Sequence, residues 1–154
     1  MIDESSQALI AKCQFCGKLN KVEAARVGDL PKCGECGKPM RLDRPLKVTD
    51  RDFDQIIEGT GIPVLVDFYA DWCGPCRMMA ATLDEFAFSM AGRALVLKLD
   101  TDANPVVPQR FTIRGIPTLI AFREGAETGR HVGLADRRVM EALAGEVPPA
   151  TPPE

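Results

Sequence analysis

The six cysteines fall into three C-x-x-C pairs, Cys13/Cys16, Cys33/Cys36 and Cys73/Cys76, with none left over. Random placement in a chain of this length would give roughly 0.2 such pairs, so the spacing is chemical. A two-residue gap lets one tight turn aim two sulfurs at a common point, as a metal ion needs, and also lets them join as a reversible disulfide. The opening stretch Met1-Ile2-Asp3-Glu4-Ser5-Ser6 carries acids where a secretory signal carries lysines. The expected setting is therefore cytosolic, where metal binding or redox catalysis is favoured over a disulfide framework.

The first two pairs repeat one another: Cys13-Gln14-Phe15-Cys16-Gly17-Lys18 and Cys33-Gly34-Glu35-Cys36-Gly37-Lys38. Their arrangement fits the paired knuckles of a four-cysteine zinc site holding one ion. Glycine after the second cysteine suits a knuckle, where the chain turns back with φ > 0. Lys18 and Lys38 would partly offset the charge of a zinc tetrathiolate. Competing readings are four free structural thiols, two local disulfides or a second redox pair, and an iron–sulfur or rubredoxin-like iron site, since sulfur ligation alone does not select the metal. Few large apolar residues surround these cysteines, so the module is expected to need its ion to fold.

The third pair is of a different kind. Asp71-Trp72-Cys73-Gly74-Pro75-Cys76-Arg77 follows an apolar strand, Val64-Leu65-Val66-Asp67-Phe68-Tyr69, and precedes a helix with the apolar stripe Met79, Leu83, Phe86, Ala87, Met90. Pro75 suits a first helical turn. Cys73 then sits at the positive helix end, where orphan N–H groups favour a thiolate. Cys76, one turn inward, is expected to be less exposed and to keep its proton. The pair reads as a nucleophile with a resolving thiol. Asp67 is an acid inside an apolar strand, costly if buried and unpaired, unless it faces solvent at an edge.

The elements that must position these residues follow from pattern. Strands are expected at 46–49, 63–70, 94–100, 118–123 and 128–132, and helices over 50–58, 75–90, near 103–110 and over 136–144. Thr49 with Asp52 approximates a capping box, Glu124-Gly125 marks a hairpin turn, and Gly145 closes the last helix. The Pro-rich end at 148–154 is expected to be extended. The chain has 154 residues, 45% hydrophobic and 27% charged, which excludes a fully disordered chain. No apolar run reaches the roughly 18 residues of a membrane helix. Residues 1–47 carry a net +3 and residues 48–154 a net −6. The result is an α/β sheet with covered faces behind a small cysteine-rich module: residues 1–43, then 44–147, then the tail.

Residues 46–146 resemble a thioredoxin, through the run 66–79, Arg114-Gly115-Ile116-Pro117-Thr118, Lys98 and Val132-Gly133. With the four-cysteine module the chain is similar to the zinc-bearing bacterial thioredoxin 2 subfamily. The resemblance implies a mixed central sheet of about five strands flanked by four helices, reduction of protein disulfides, and re-reduction by an NADPH-dependent thioredoxin reductase. It makes Cys73 the attacking and Cys76 the resolving cysteine. Asp67 becomes the buried carboxylate that moves the resolving thiol's proton, Lys98 its neighbour, and Pro117 a cis-proline facing the pair. Trp72, Gly74, Pro75, Ile116, Pro117 and Gly133 become the substrate surface. Tyr69 stands where many members have tryptophan, and Ala81 where many have a helix-kinking proline, so that helix is expected to be straighter. His131 is read as a surface or groove residue.

The leading function is thus a thiol–disulfide oxidoreductase working as a reductant, expected to be monomeric. An oxidase or isomerase is disfavoured by Gly74-Pro75 and the cytosolic setting. Nucleic-acid binding by the ribbon is disfavoured by its small charge and its lack of a basic-aromatic stripe. A zinc-gated redox sensor would need accessible metal thiolates.

Overall fold

The computed structural model describes residues 7–145. The opening hexapeptide and the Pro-rich tail lie outside the described residues. Two sheets form. A small antiparallel hairpin pairs β1 (Ala8–Lys12) with β2 (Leu19–Glu23), followed by a 3-10 helix at Ala24–Asp29. The main sheet contains β3 (Leu46–Val48), β4 (Val64–Tyr69), β5 (Leu95–Asp100), β6 (Thr118–Arg123) and β7 (Ala126–Val132), in the order β3-β5-β4-β6-β7. The first three strands in that order run parallel; β6 is antiparallel to β4, and β7 to β6.

All of β4 is buried because both its faces are covered. On one side Val64, Val66 and Phe68 join Phe53, Ile56 and Ile57 of α1 (Phe53–Gly59) and Val107 of α3 (Val106–Arg110). Phe53, Phe111 and Phe122 meet there edge to face, with centroids 5.3–5.9 Å apart. On the other side Leu65 packs with the stripe Met79, Leu83, Phe86 and Ala87 of α2 (Gly74–Ser89) and with Met140 of α4 (Arg137–Leu143). The expected stripe faces inward, and α2 runs unbroken through Ala81.

The starts of α1 and β7 differ from expectation. Helix α1 begins at Phe53 instead of residue 50, because Asp50 is engaged elsewhere. Its carboxylate accepts the Val106 and Val107 N–H groups, at 2.9 and 2.8 Å, and so caps α3 from across the sheet end. The capping box forms one turn ahead of the helix, with Asp52 Oδ1 accepting the Thr49 N–H at 2.8 Å. Strand β7 starts at Ala126, since Glu124 (φ 51°) and Gly125 (φ 85°) both take the left-handed conformation of a two-residue hairpin. Gly145 closes α4 with φ 72°.

The cysteine-rich module shares its core with the α1 side of the main sheet. Leu9, Ala11, Val22, Val27, Met40 and Leu42 belong to the same buried cluster as Phe53 and Val66. Polar contacts fix the seam. Ile10 N–H donates to Thr60 Oγ1 at 3.0 Å, that hydroxyl donates to the Ile56 carbonyl at 2.7 Å, and Gly61 N–H donates to the Ala8 carbonyl at 2.7 Å. Lys12 Nζ lies 2.7 Å from Asp52 Oδ2. A Cβ on Gly59 would stand 2.8 Å from Ile10 Cγ1, so the strand and the helix end approach as closely as glycine allows.

Thr60 Oγ1 satisfies backbone groups on both sides of this seam. Thr60→Val keeps the shape but leaves the Ile10 N–H without its acceptor. The expected loss is about 1–3 kcal/mol in urea unfolding, with faster hydrogen exchange at Ile10. An unchanged midpoint and unchanged exchange would show that the seam does not depend on this relay.

Candidate functional site

The two knuckles are copies. Cys13 N–H donates to the Lys18 carbonyl and Gly17 N–H to the Cys13 carbonyl, at 2.9 and 3.0 Å; Cys33 with Lys38, and Gly37 with Cys33, repeat both bonds at 2.9 Å. Gly17 and Gly37 have φ of 81° and 76°, as the turn requires. All four sulfurs lie within 4.8 Å of one another. Cys13–Cys36 and Cys16–Cys33 are 3.7 and 3.6 Å apart. A tetrahedron with metal–sulfur bonds of about 2.3 Å puts sulfurs about 3.8 Å apart, so the donor set fits one tetrahedral ion.

Cys13 and Cys33 are buried, whereas Cys16 and Cys36 are exposed. N–H groups of Cys36 and Glu35, with the Asn20 amide, hold the Cys33 thiol down at about 6 against its burial. Cys13 is lowered in the same way by the Cys16 and Phe15 amides. Asn20 spans the cluster: Nδ2 lies 3.5 Å from Cys33 Sγ, and Oδ1 accepts the Gly34 N–H at 2.9 Å. No motif announces Asn20, and sequence reasoning missed it. Lys38 reaches back over the Phe15 ring of the other knuckle, 4.8 Å from its centroid.

The third pair sits where a strand becomes a helix. Cys73 is extended (φ −82°, ψ 114°) and is the residue that caps α2: its sulfur accepts the Cys76 N–H at 3.2 Å. Cys73 and Cys76 are joined as a disulfide, with Cα atoms 5.3 Å apart. The Ile116–Pro117 peptide is cis, and the Ile116 carbonyl lies 3.8 Å from Cys73 Sγ. Gly133 (φ 98°) donates its N–H to the Pro117 carbonyl at 2.8 Å, tying β7 to this wall. A Cβ on Gly74 would meet nothing within 4 Å, so the surface is open at Gly74, between the two cysteines.

One expectation on exposure is corrected. Cys73 is no more accessible than Cys76, at 3% against 5%. The disulfide draws both sulfurs into the cluster formed by Tyr69, Ala70 and Ile116, and no free thiolate projects. Trp72 is 67% exposed and anchored by Nε1–H donating to Asp102 Oδ2 at 2.8 Å. With Val132 and Leu134, also exposed, it supplies apolar surface on this side of the chain. His131 takes no part in the sulfur cluster; its Nε2 lies 2.9 Å from the Leu134 carbonyl.

Asp67 is buried on the same face of β4 as Tyr69, and its Oδ1 has no hydrogen-bond partner. It is not a solvent-facing edge acid. Lys98 is its register partner on β5, but the ammonium lies over the Tyr69 ring, 4.5 Å from the centroid, and makes no ion pair among the described residues. Burial raises the Asp67 carboxyl to about 7, and the charge of Lys98 opposes this only in part.

Because this proton is held in the folded chain above the usual carboxylate range, stability from the group is present in full at low pH and is lost as pH rises through about 7. Asp67→Asn is therefore expected to match wild type near pH 4. At pH 8 the variant should be more stable by up to roughly 4 kcal/mol. Urea melts at several pH values read this out. A gap that stays constant with pH would place the titration elsewhere.

Comparison with known proteins accords with this geometry. Residues 44–145 match the thioredoxin family model and residues 12–38 the model described as thioredoxin 2, N-terminal. Thioredoxin C-3 of Corynebacterium nephridii is 34% identical over 125 residues, covering 81% of this chain and 86% of that protein. The thioredoxin of Alicyclobacillus acidocaldarius is 45% identical over 102 residues, covering 66% and 96%. A solved mutant thioredoxin from Halobacterium salinarum superposes with a TM-score of 0.63 at 34% identity, covering 72% of this chain and 96% of that one. The family models, the relatives and the shared fold agree: the chain belongs to the thioredoxin family, the thiol–disulfide oxidoreductases.

Proposed function

We propose that Cys73 is the attacking and Cys76 the resolving thiol in the reduction of protein disulfides, with Asp67 as the proton acceptor between them. The observation that carries this is the Cys76 N–H aimed at Cys73 Sγ at the start of α2, which stabilises negative charge on that sulfur once the pair is reduced. The Cys73 thiolate attacks one substrate sulfur; that S–S bond breaks, a Cys73–substrate disulfide forms, and the first substrate thiolate leaves and is protonated. Asp67 takes the Cys76 proton, and the Cys76 thiolate attacks Cys73 sulfur. The second substrate thiolate leaves, and the Cys73–Cys76 disulfide remains. Two electrons have passed to the substrate.

Trp72, Gly74, Pro75, Ile116, Pro117 and Gly133 form the surface that receives the substrate backbone, supported by the open space over Gly74 and the exposed Trp72 ring. An NADPH-dependent thioredoxin reductase regenerates the dithiol. The chain acts as a cytoplasmic monomer with a ribbon over 1–43, a redox module over 44–147 and a tail beyond.

The sulfur set suits zinc, and Cys13, Cys16, Cys33 and Cys36 would hold the ion. When bound, it supplies a closed tetrahedral crosslink between the two knuckles. The four sulfurs satisfy one ion without borrowing Cys73 or Cys76.

Cys73→Ser is expected to abolish reductase-coupled reduction of a protein disulfide, and Cys76→Ser to accumulate a mixed disulfide through Cys73, visible by mass. An adduct through Cys76 would reverse the roles. Asp67→Asn should slow exchange near neutral pH; an unchanged rate would remove its catalytic part.

Cys13→Ser with Cys33→Ser should lose the metal, read by stoichiometry, and unfold the knuckles while disulfide exchange persists. Because the seam shares one core, the melting temperature of the remaining fold should also fall. Loss of exchange in a folded redox module would make the ribbon part of the catalytic machinery.

A further inference from the structure

The segment joining the second knuckle to β3 is strongly basic: within residues 38–47 stand Lys38, Arg41, Arg44 and Lys47 against the single acid Asp43. The fold turns this run into one wall of a groove. Arg41, Arg44 and Lys47 line it with Lys98 from β5, opposite Asp84 and Phe88 of α2. A second depression sharing Arg44, Pro45 and Lys47 extends it toward Lys12 and the first knuckle. The wall is fixed from behind: Arg41 N–H donates to Gln14 Oε1 at 3.3 Å, and Gln14 Nε2 donates to the Arg41 carbonyl at 2.5 Å.

The cations differ in their commitments. Lys12 is paired with Asp52, and Arg44 with Asp43 at 3.3 Å. Among the described residues the Arg41 and Lys47 side chains have no ion-pair partner, and Lys98 is held only by the Tyr69 ring. Phe88 is 68% exposed in their midst, an apolar anchor of the sort found at protein interfaces. Asp43 and Asp84 interrupt the positive charge. That pattern suits a polypeptide with carboxylates spaced among neutral residues better than a continuous polyphosphate.

Lys98 links the groove to the neighbourhood of the disulfide. Lys98 lies over Tyr69, and Tyr69 packs in the cluster of Cys73 and Cys76. Asp84 stands eleven positions beyond Cys73, about 16 Å along the helix axis. An extended chain covers that in about five residues.

We propose that this groove receives an acidic segment of the disulfide-bearing substrate, lying about four to six residues from the cysteine under attack. The inference rests on the reductase reading and adds a substrate class to it: disulfides flanked by Asp or Glu are favoured. Complementary charge acts mainly on encounter rate, so it is screened by salt.

The test uses two synthetic peptides with one identical disulfide loop, one flanked by glutamates and the other by glutamines. Their kcat/KM values are measured with the full-length protein and a reductase-coupled readout. At low salt the glutamate peptide is expected to be favoured about tenfold. In the double variant Arg41→Glu, Lys47→Glu, or in about 1 M salt, where the screening length falls to about 3 Å, that preference should shrink to about twofold or less. The glutamine peptide should react alike in both proteins, which also shows that the variant is folded. Equal kcat/KM for the two peptides in wild type overturns the proposal. So does salt-sensitive binding of single-stranded DNA that the double variant loses without any peptide preference, which would make the groove a nucleic-acid site. Failure to reduce either peptide overturns the reductase reading instead.

Discussion

In all three C-x-x-C turns a backbone amide from the turn is aimed at the sulfur of the first cysteine: Phe15 and Cys16 at Cys13, Glu35 at Cys33, Cys76 at Cys73. That contact favours charge on the first sulfur wherever it occurs, so the local turn alone does not decide what the sulfur will do. The path of the chain beyond the second cysteine decides. At Gly17 and Gly37 the chain enters positive φ and doubles back, which brings two knuckles face to face and gathers four sulfurs. After Cys76 the chain continues along helix α2, sixteen residues in all. Its stripe locks onto the sheet, and the first sulfur is left at a helix end beside only one other thiol. One interaction therefore serves twice in a cluster of four sulfurs and once in a disulfide pair.

The second constraint is the carboxylate behind the pair. A buried acid with an oxygen lacking any partner is an expense that a stability-driven core would avoid. The register partner Lys98 stands beside it, yet its ammonium lies over Tyr69. A closed Asp67–Lys98 ion pair would hold the carboxyl deprotonated far below neutral pH. With the ammonium engaged by the ring, burial prevails, and the proton is held until about neutral pH. A group poised there can accept and return a proton under physiological conditions. Tyr69 thus has a part in the electrostatics of the site as well as in the packing, although it stands where many family members carry tryptophan.

Much of this was legible in the sequence, for identifiable reasons. The duplicated Cys-x-x-Cys-Gly-Lys halves carry their own geometry. The 3.6-residue stripe from Met79 to Met90 gives α2 its inward face, and the apolar run around Asp67 marks that acid as unusual. The illegible parts are those in which a side chain serves a distant element. Asp50 caps α3 more than fifty residues away, which moves the start of α1. Asn20 bridges the knuckles, and Asp102 anchors Trp72, both across turns with no fixed spacing. The equal burial of Cys73 and Cys76 depends on the disulfide between them, an oxidation state that no residue pattern encodes.

The seam between ribbon and sheet arises from a shortage on each side. A hairpin of two five-residue strands has too little apolar surface to stand alone. The α1 face of the main sheet, for its part, offers Ile56 and Ile57 where Leu9 and Ala11 can cover them. Burying both in one cluster solves the two problems together. It also ties the basic linker at 38–47 to the first knuckle, because Gln14 holds Arg41 by its backbone. The four converging sulfurs therefore meet the redox module through this shared core and the polar contacts along the seam.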